Sequence, residues 1–147
     1  MGQKLKTQDK LKSWEVRQGQ VLVCSLCGNC PDSYAHLFFD CSFSRDFWDK
    51  VCRSISGITS TYDWSDITAS INLLPQHSAS ALVAKLMFAV AVYFIWRERN
   101  NILFKRKSTS TDSLFGDLVA TVRLKLMLVC FKELRQVRQL HIAWNLI

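Results

Sequence analysis

The chain has 147 residues, of which 49% are apolar and 21% are charged. A composition this rich in apolar residues excludes a disordered tail. The length suffices for one ordinary domain, or for a small module with a helical extension, and it is too short for a polymerase or a kinase.

The net charge of +7 is confined to the second half of the chain. Residues 1–73 contain eight basic and eight acidic side chains, whereas residues 74–147 contain eleven basic and four acidic ones. This asymmetry predicts two regions, 1–75 and 76–147, and indicates a polyanionic partner for the second. The alternative is that the basic residues form only the solvated face of long helices.

The N-terminal sequence MGQKLKTQDKLKSW is polar and lacks the apolar core of a secretory signal. We therefore expect an intracellular protein, of the nucleus or the cytoplasm. In such a compartment the six cysteines are expected to be thiols or metal ligands and not disulfides.

The first half predicts short helices at about residues 4–14, 33–40, 44–55 and 64–73. A brief β-like run at 21–23 and a turn-like segment at 24–31 precede the second of these helices. Its N-cap is Asp32 or Ser33, both of which have side chains that accept from free backbone N–H groups. Pro75 follows the last of the four and interrupts helical structure.

The second half predicts two long helices, at residues 79–104 and from Leu114 to beyond Val137. A polar break at 108–111 separates them, and Asp112 or Ser113 can cap the second. Apolar residues recur in the second helix at the three- and four-residue spacing of an amphipathic helix, namely Leu118, Val122, Leu126 and Val129.

An apolar stretch at residues 81–96 could be mistaken for a membrane span. It has 16 residues, includes Lys85 and is followed at once by Arg97 and Arg99. A span needs about 20 predominantly apolar residues. We therefore predict a buried core helix, and no membrane association.

The strongest chemical signal is the series Cys24-x2-Cys27-x8-His36-x4-Cys41. Thiolates and imidazole are ligands that Zn²⁺ prefers, and four of them complete a tetrahedral structural site. His36 and Cys41 lie about 140° apart on an ideal α-helix, so the helix must end or unwind near Asp40 if both bind one ion. The predicted fold class is mainly α: a small zinc knuckle, made of a short hairpin and a helix, followed by two long helices.

Cys30 leaves the ligand set open, because Cys27 and Cys30 also form a C-x-x-C pair. We prefer Cys24 with Cys27, since the apolar run at 21–23 leads into them as a first strand would, while Pro31 stiffens the exit from Cys30. A further alternative is a redox or incidental thiol cluster without metal. Cys52 and Cys130 lie on apolar helix faces and are expected to be ordinary buried thiols.

The segment CSLCGNCPDSYAHLFFDCSFSRDFW closely resembles the zinc-binding domain that follows the reverse transcriptase in plant LINE-type (non-LTR) retrotransposon polyproteins. LKTQDKLKSW, VAVYFIWRERNNILF and VRLKL resemble flanking parts of the same family. The resemblance implies zinc as the cofactor and Cys24, Cys27, His36 and Cys41 as its ligands. It assigns no role to Cys30.

The sequence lacks the motifs of the common catalytic sites. It has no Asp-Asp dipeptide for catalytic metal ions, no P-loop, no G-x-S-x-G and no nucleotide-binding glycine fingerprint. We therefore predict a protein that is not an enzyme and has no small-molecule substrate.

Two functions fit these features. The first is a zinc-stabilised module that binds RNA or DNA, with a predicted contact set of Arg97, Arg99, Lys105, Arg106, Lys107, Arg123, Lys125, Arg135 and Arg138. The second is a structural or protein-interaction module whose helices dock on a polymerase domain or another protein partner. Retention on a nucleic-acid column that depends on salt would distinguish the two.

Overall fold

In a computed structural model, the described part of the chain comprises residues 23–55, 58, 62–75, 78–127 and 142. Within it, a π-helical turn, His36–Asp40, precedes four α-helices: α1 (Ser42–Arg53), α2 (Trp64–Leu73), α3 (Ala79–Lys105) and α4 (Thr111–Met127). The only β-pairing in these residues is an isolated antiparallel bridge between Val23 and Pro31. The predicted fold class is confirmed; this bridge is the part of the predicted hairpin that the described residues contain, and Val21 and Leu22 lie outside them.

Helices α2, α3 and α4 begin at side-chain caps. Asp63 accepts from the N–H groups of Ser65 and Asp66 at the start of α2, and Ser78 Oγ accepts from Ala81 N–H at the start of α3. The predicted cap of the last helix was wrong. The Ser110 hydroxyl accepts from Ser113 N–H, so α4 begins at Thr111, a few residues before the predicted start.

One hydrophobic core joins the helices. α3 packs against α1, α2 and α4, and α1 also packs against α4. The predicted apolar face of the last helix is confirmed in its described part, because Leu118, Val122 and Leu126 are all buried. The predicted helix at 4–14 and the residues after Met127, except Ile142, lie outside the described residues.

By length and composition alone, α3 could also cross a membrane. In the fold, Ala84, Met87 and Ala91 recur at helical spacing and are fully buried, and Ile95 continues the same face. This face lies in the core that α1 and α4 share. Helix α3 therefore lies in the position that the sequence predicted for a core helix.

The buried side chains on both sides of residue 75 belong to the same core. It runs from Cys24 through Phe47 of α1 to Met87 of α3 and Leu126 of α4. The residues before and after residue 75 are therefore packed together in the described part of the chain.

Candidate metal centre

A tight loop positions Cys24 and Cys27. Cys24 N–H donates to the Cys30 carbonyl at 2.7 Å, and Gly28 N–H donates to the Cys24 carbonyl at 2.7 Å. Gly28 has φ +71°, a left-handed conformation that glycine adopts without a Cβ clash. This turn directly follows the second cysteine and allows both thiols to lie on one side of the loop.

The π-helical turn brings the side chains of His36 and Cys41 close to one another. Ser33 is the cap, since its hydroxyl accepts from His36 N–H at 3.2 Å. Cys41 N–H then donates to the His36 carbonyl at 2.8 Å, an i→i+5 bond where an α-helix would have i→i+4. The wider turn brings Cys41 closer to His36 and reduces the offset of about 140° that an α-helix would impose. The helix ends at Asp40, as predicted, and Cys41 is extended.

Side chains of α1 hold this turn in place. The last carbonyls of a helix have no partner within the helix and must be satisfied elsewhere when they are buried. Ser44 Oγ donates to the Leu37 carbonyl, Trp48 Nε1 to the Phe38 carbonyl at 2.7 Å, and Arg45 Nε to the Phe39 carbonyl at 3.0 Å. These three donors explain how a single π-helical turn persists in a buried position.

The loop and the turn together gather four donor atoms. Those of Cys24, Cys27, His36 and Cys41 all lie within 4.8 Å of one another. The Sγ atoms of Cys24 and Cys41 are 3.9 Å apart, and His36 Nε2 lies 3.2 Å from Cys27 Sγ. Zinc–sulfur bonds of about 2.3 Å in a tetrahedron place two sulfur ligands about 3.8 Å apart. The arrangement therefore fits a zinc ion in size and in donor chemistry.

The two buried thiols are electrostatically coupled. The hydrogen bond from the Cys24 thiol lowers the pKa of Cys41 to about 5 and, together with burial, raises the pKa of Cys24. The two thiols therefore titrate as a pair, in which their hydrogen bond favours keeping a proton on Cys24 and the thiolate form of Cys41. Because zinc requires both sulfurs as thiolates, metal binding has to release that proton.

Cys30 is not part of the donor group. Its carbonyl closes the loop on Cys24 N–H, and its side chain is partly buried. The structure therefore favours the Cys24 and Cys27 pair over the alternative pair of Cys27 and Cys30. Cys52 is a buried thiol, as predicted, while Cys130 and His141 lie outside the described residues.

Arg99 does not fit its predicted role as a nucleic-acid contact. Its side chain is 3% exposed, and its Nη2 lies 2.5 Å from Asp32 Oδ2, with Nε also bonded to that carboxylate. Its guanidinium also lies over the Trp96 ring. A guanidinium enclosed in this way cannot reach a phosphate. Arg99 instead joins the end of the knuckle loop to α3.

The two residues before Arg99 also have partners inside the molecule. Glu98 is fully buried and accepts from Thr109 N–H at 2.5 Å, which ties the loop after α3 back to the helix. Arg97 pairs with Asp117 at 3.6 Å and covers the face of Phe94 at 3.9 Å. The Arg-Glu-Arg run is therefore largely structural.

The remaining predicted contacts that the structure describes are exposed, namely Lys105, Arg106, Lys107, Arg123 and Lys125. Lys105, Arg106 and Lys107 follow one another at the end of α3. Arg123 and Lys125 lie on α4. Arg135 and Arg138 lie outside the described residues.

Sequence reasoning missed two features beside these positions. The first is the support of the π-helical turn by Ser44, Arg45 and Trp48, which the sequence does not distinguish from the other residues of an amphipathic helix. The second is Phe104, which is 80% exposed next to the three consecutive cations. Its place at the end of a predicted core helix concealed that exposure.

Residues 1–48 match the family zf-RVT, described as zinc-binding in reverse transcriptase. The match contains all four clustered donors, and it spans 48 of the 147 residues. The first third of the chain thus matches a zinc-binding domain of the kind associated with reverse transcriptases, which confirms the resemblance at the level of the domain. Its restriction to plant LINE-type elements stays a prediction. No curated protein and no solved structure matches the chain.

Proposed function

We propose that the chain is a non-catalytic, zinc-stabilised accessory module of a reverse transcriptase, and that it binds nucleic acid through exposed basic side chains. The observation that carries the proposal is the group of four donors, Cys24, Cys27, His36 and Cys41, within 4.8 Å of one another. We assign them as the ligands of one zinc ion.

The proposed zinc has a structural role. Bound zinc supplies a cross-link between the loop that carries Cys24 and Cys27 and the turn that carries His36 and Cys41. Four protein ligands fill a tetrahedral shell and leave no position for water or substrate. This argument, together with the absence of an Asp-Asp dipeptide, supports a module that performs no chemistry of its own.

Nucleic-acid binding is supported by the unpaired cations of the helical region. Within the described residues, Lys105, Arg106 and Lys107 make no ion pair, and all three are exposed. Arg123 and Lys125 add two further exposed cations on α4. Cations in such an arrangement neutralise phosphates without reading sequence, and they release counterions on binding.

The second candidate function is docking on a polymerase domain or another protein. The observation that favours it is the exposure of Leu124 and Met127 on α4, at 65% and 60%. Interface cores are depleted in lysine and enriched in apolar side chains, so a protein partner would be expected to use these two residues and avoid Lys105 and Lys107.

A charge-matched pair of variants tests the nucleic-acid proposal. Lys105→Ala/Lys107→Ala removes two exposed charges from the proposed surface, and Arg53→Ala/Lys85→Ala removes two exposed charges elsewhere, one on α1 and one near the start of α3. Affinity for a labelled duplex DNA is measured at several salt concentrations. We expect the first variant to bind more weakly, with a log K against log salt slope that is smaller by up to about 1.8. We expect the second to bind nearly as wild type does. Equal behaviour of the two variants would contradict the proposed surface.

A further inference from the structure

We propose that Tyr93 and Phe104 of α3 form a stacking surface for the bases of a single-stranded nucleic acid, whose phosphates the adjacent cations neutralise. The inference rests on the proposed nucleic-acid function and specifies the ligand of that same surface. It predicts a preference for unpaired over duplex strands.

The two rings share one face of the helix. Tyr93 is 58% exposed and Phe104 is 80% exposed. They are eleven positions apart, which places them within about 20° around the helix and about 16 Å apart along it. Two flat side chains are therefore presented in line on one side of α3, where neither is enclosed by the core.

The residues that follow Phe104 suit a polyanion. Near Tyr93, by contrast, Arg97 is paired with Asp117, and its guanidinium lies 5.9 Å from the Tyr93 ring centre. The run Lys105–Lys107 continues directly from Phe104. Alternating aromatic rings and cations are the composition of surfaces that bind single strands, because every base has a π-face and every nucleotide a phosphate.

The exposure of these rings contrasts with most other aromatic rings of the described residues. Phe38, Phe47 and Trp48 are at most 1% exposed, so the fold buries aromatic rings where it can. A protein-docking surface would be expected to surround an exposed Phe with apolar side chains, and lysine is depleted in such surfaces. Three consecutive cations beside Phe104 instead favour a nucleic-acid partner. A duplex keeps its bases stacked on each other, so it can use the cations but not the rings.

The test measures binding of the full chain, loaded with zinc, to three labelled probes: a 12-nucleotide RNA, a 12-nucleotide DNA and a 12-base-pair duplex DNA. The variants are Phe104→Ala, Phe104→Leu and Phe104→Trp. Leucine keeps an apolar side chain but removes the π-face, whereas tryptophan retains it. Leu73→Ala, at a residue 87% exposed on α2, controls for the loss of any exposed apolar side chain.

We expect Phe104→Ala and Phe104→Leu to weaken single-strand binding by roughly 5- to 150-fold, with an unchanged salt slope and little effect on the duplex. Phe104→Trp and Leu73→Ala are expected to bind as wild type does. Tyr93→Ala should weaken single-strand binding in the same sense.

Several results would overturn the inference. If Phe104→Ala binds single strands as wild type does, while Lys105→Ala/Lys107→Ala binds them more weakly, the stacking surface is wrong and the proposed function stands. If Phe104→Leu equals wild type, or single strands and duplex weaken alike, the ring does not stack on bases. If the wild-type chain binds none of the three probes, the proposed function itself fails. If the chain dimerises and Phe104→Ala makes it monomeric, the face is an interface between two copies.

Discussion

The knuckle region, residues 23–41, and the helix pair of α3 and α4 are stabilised by different means. In the knuckle, a short loop and one helical turn are held by backbone hydrogen bonds, by donors from α1 and by the four gathered ligands. In the helix pair, Met87, Ile95 and Leu118 belong to a continuous apolar core. Short segments cannot bury enough apolar surface to order themselves, so they depend on specific cross-links. The comparison therefore predicts that each region fails in its own way.

The largest expected effect is the loss of a zinc ligand. Structural zinc contributes on the order of 10 kcal/mol in comparable small modules, so Cys24→Ser should abolish stoichiometric zinc and disorder residues 24–41. Helix α3 and most of the circular dichroism signal should persist, because apolar packing stabilises them. Zinc content and amide hydrogen exchange are the measurements. Cys30→Ser is the control, with zinc content near wild type. A reversal of these two outcomes would assign the site to Cys27 and Cys30.

The next largest effect is expected where the two regions meet, at the buried pair of Asp32 and Arg99. Arg99→Met leaves the Asp32 carboxylate buried without its cation, which should lower the free energy of unfolding by about 3–5 kcal/mol. Arg97→Met, which removes the neighbouring and more exposed pair with Asp117, should cost only about 1 kcal/mol. Denaturant titration of both variants measures the difference. Equal losses would contradict the assignment of Arg99 as the link between the regions.

A smaller effect is expected from the support of the π-helical turn. Trp48→Phe keeps most of the buried ring but leaves the Phe38 carbonyl without its donor, at a cost of about 1–3 kcal/mol. Because that carbonyl lies between His36 and Cys41, zinc affinity should fall together with stability. Competition with a chelator measures the affinity. The control is Trp64→Phe, because the Trp64 ring belongs to α2 and not to the turn or to α1. If both variants lose zinc affinity equally, Trp48 has no special role in positioning the ligands.

The smallest effect is a gain in stability. Arg106 has φ +52° and ends α3 in the left-handed conformation, with its N–H donating to the Ile102 carbonyl. Arg106→Gly relieves the Cβ strain and should raise the free energy of unfolding by about 1 kcal/mol. It also removes one exposed cation, so nucleic-acid affinity should fall slightly. Thermal unfolding and a binding titration of the same sample separate the two effects. A loss of stability would contradict the prediction and would show that the Arg106 side chain makes stabilising contacts although it is exposed.

The sequence predicted what depends on neighbouring residues. The bounds of α2 and the start of α3 follow from local caps and apolar spacing, and both agree with the structure. The group of His36 and Cys41 also followed from spacing, including the need for the helix to depart from α geometry before Asp40. The π-helical turn itself could not be predicted, because side chains of α1 donate hydrogen bonds to its carbonyls. The spacing of the ligands gives no information about these donors.

Arg99 illustrates what local pattern cannot predict. In the sequence it belongs to a basic cluster, and only its buried partner Asp32, 67 positions away, removes it from the surface. Phe104 is the converse, an apolar residue in an apolar helix that the fold leaves exposed. Both outcomes depend on which face of α3 the knuckle and α4 cover, and that is decided by tertiary packing.

The central claim, that one zinc ion is held by Cys24, Cys27, His36 and Cys41, is tested most directly by X-ray absorption at the zinc edge on the full chain purified without chelator. We expect one zinc per chain with three sulfur ligands at about 2.3 Å and one nitrogen ligand at about 2.0 Å. A protein without stoichiometric zinc would contradict the claim. A shell of four sulfurs would contradict it as well, because Cys30 would then replace His36.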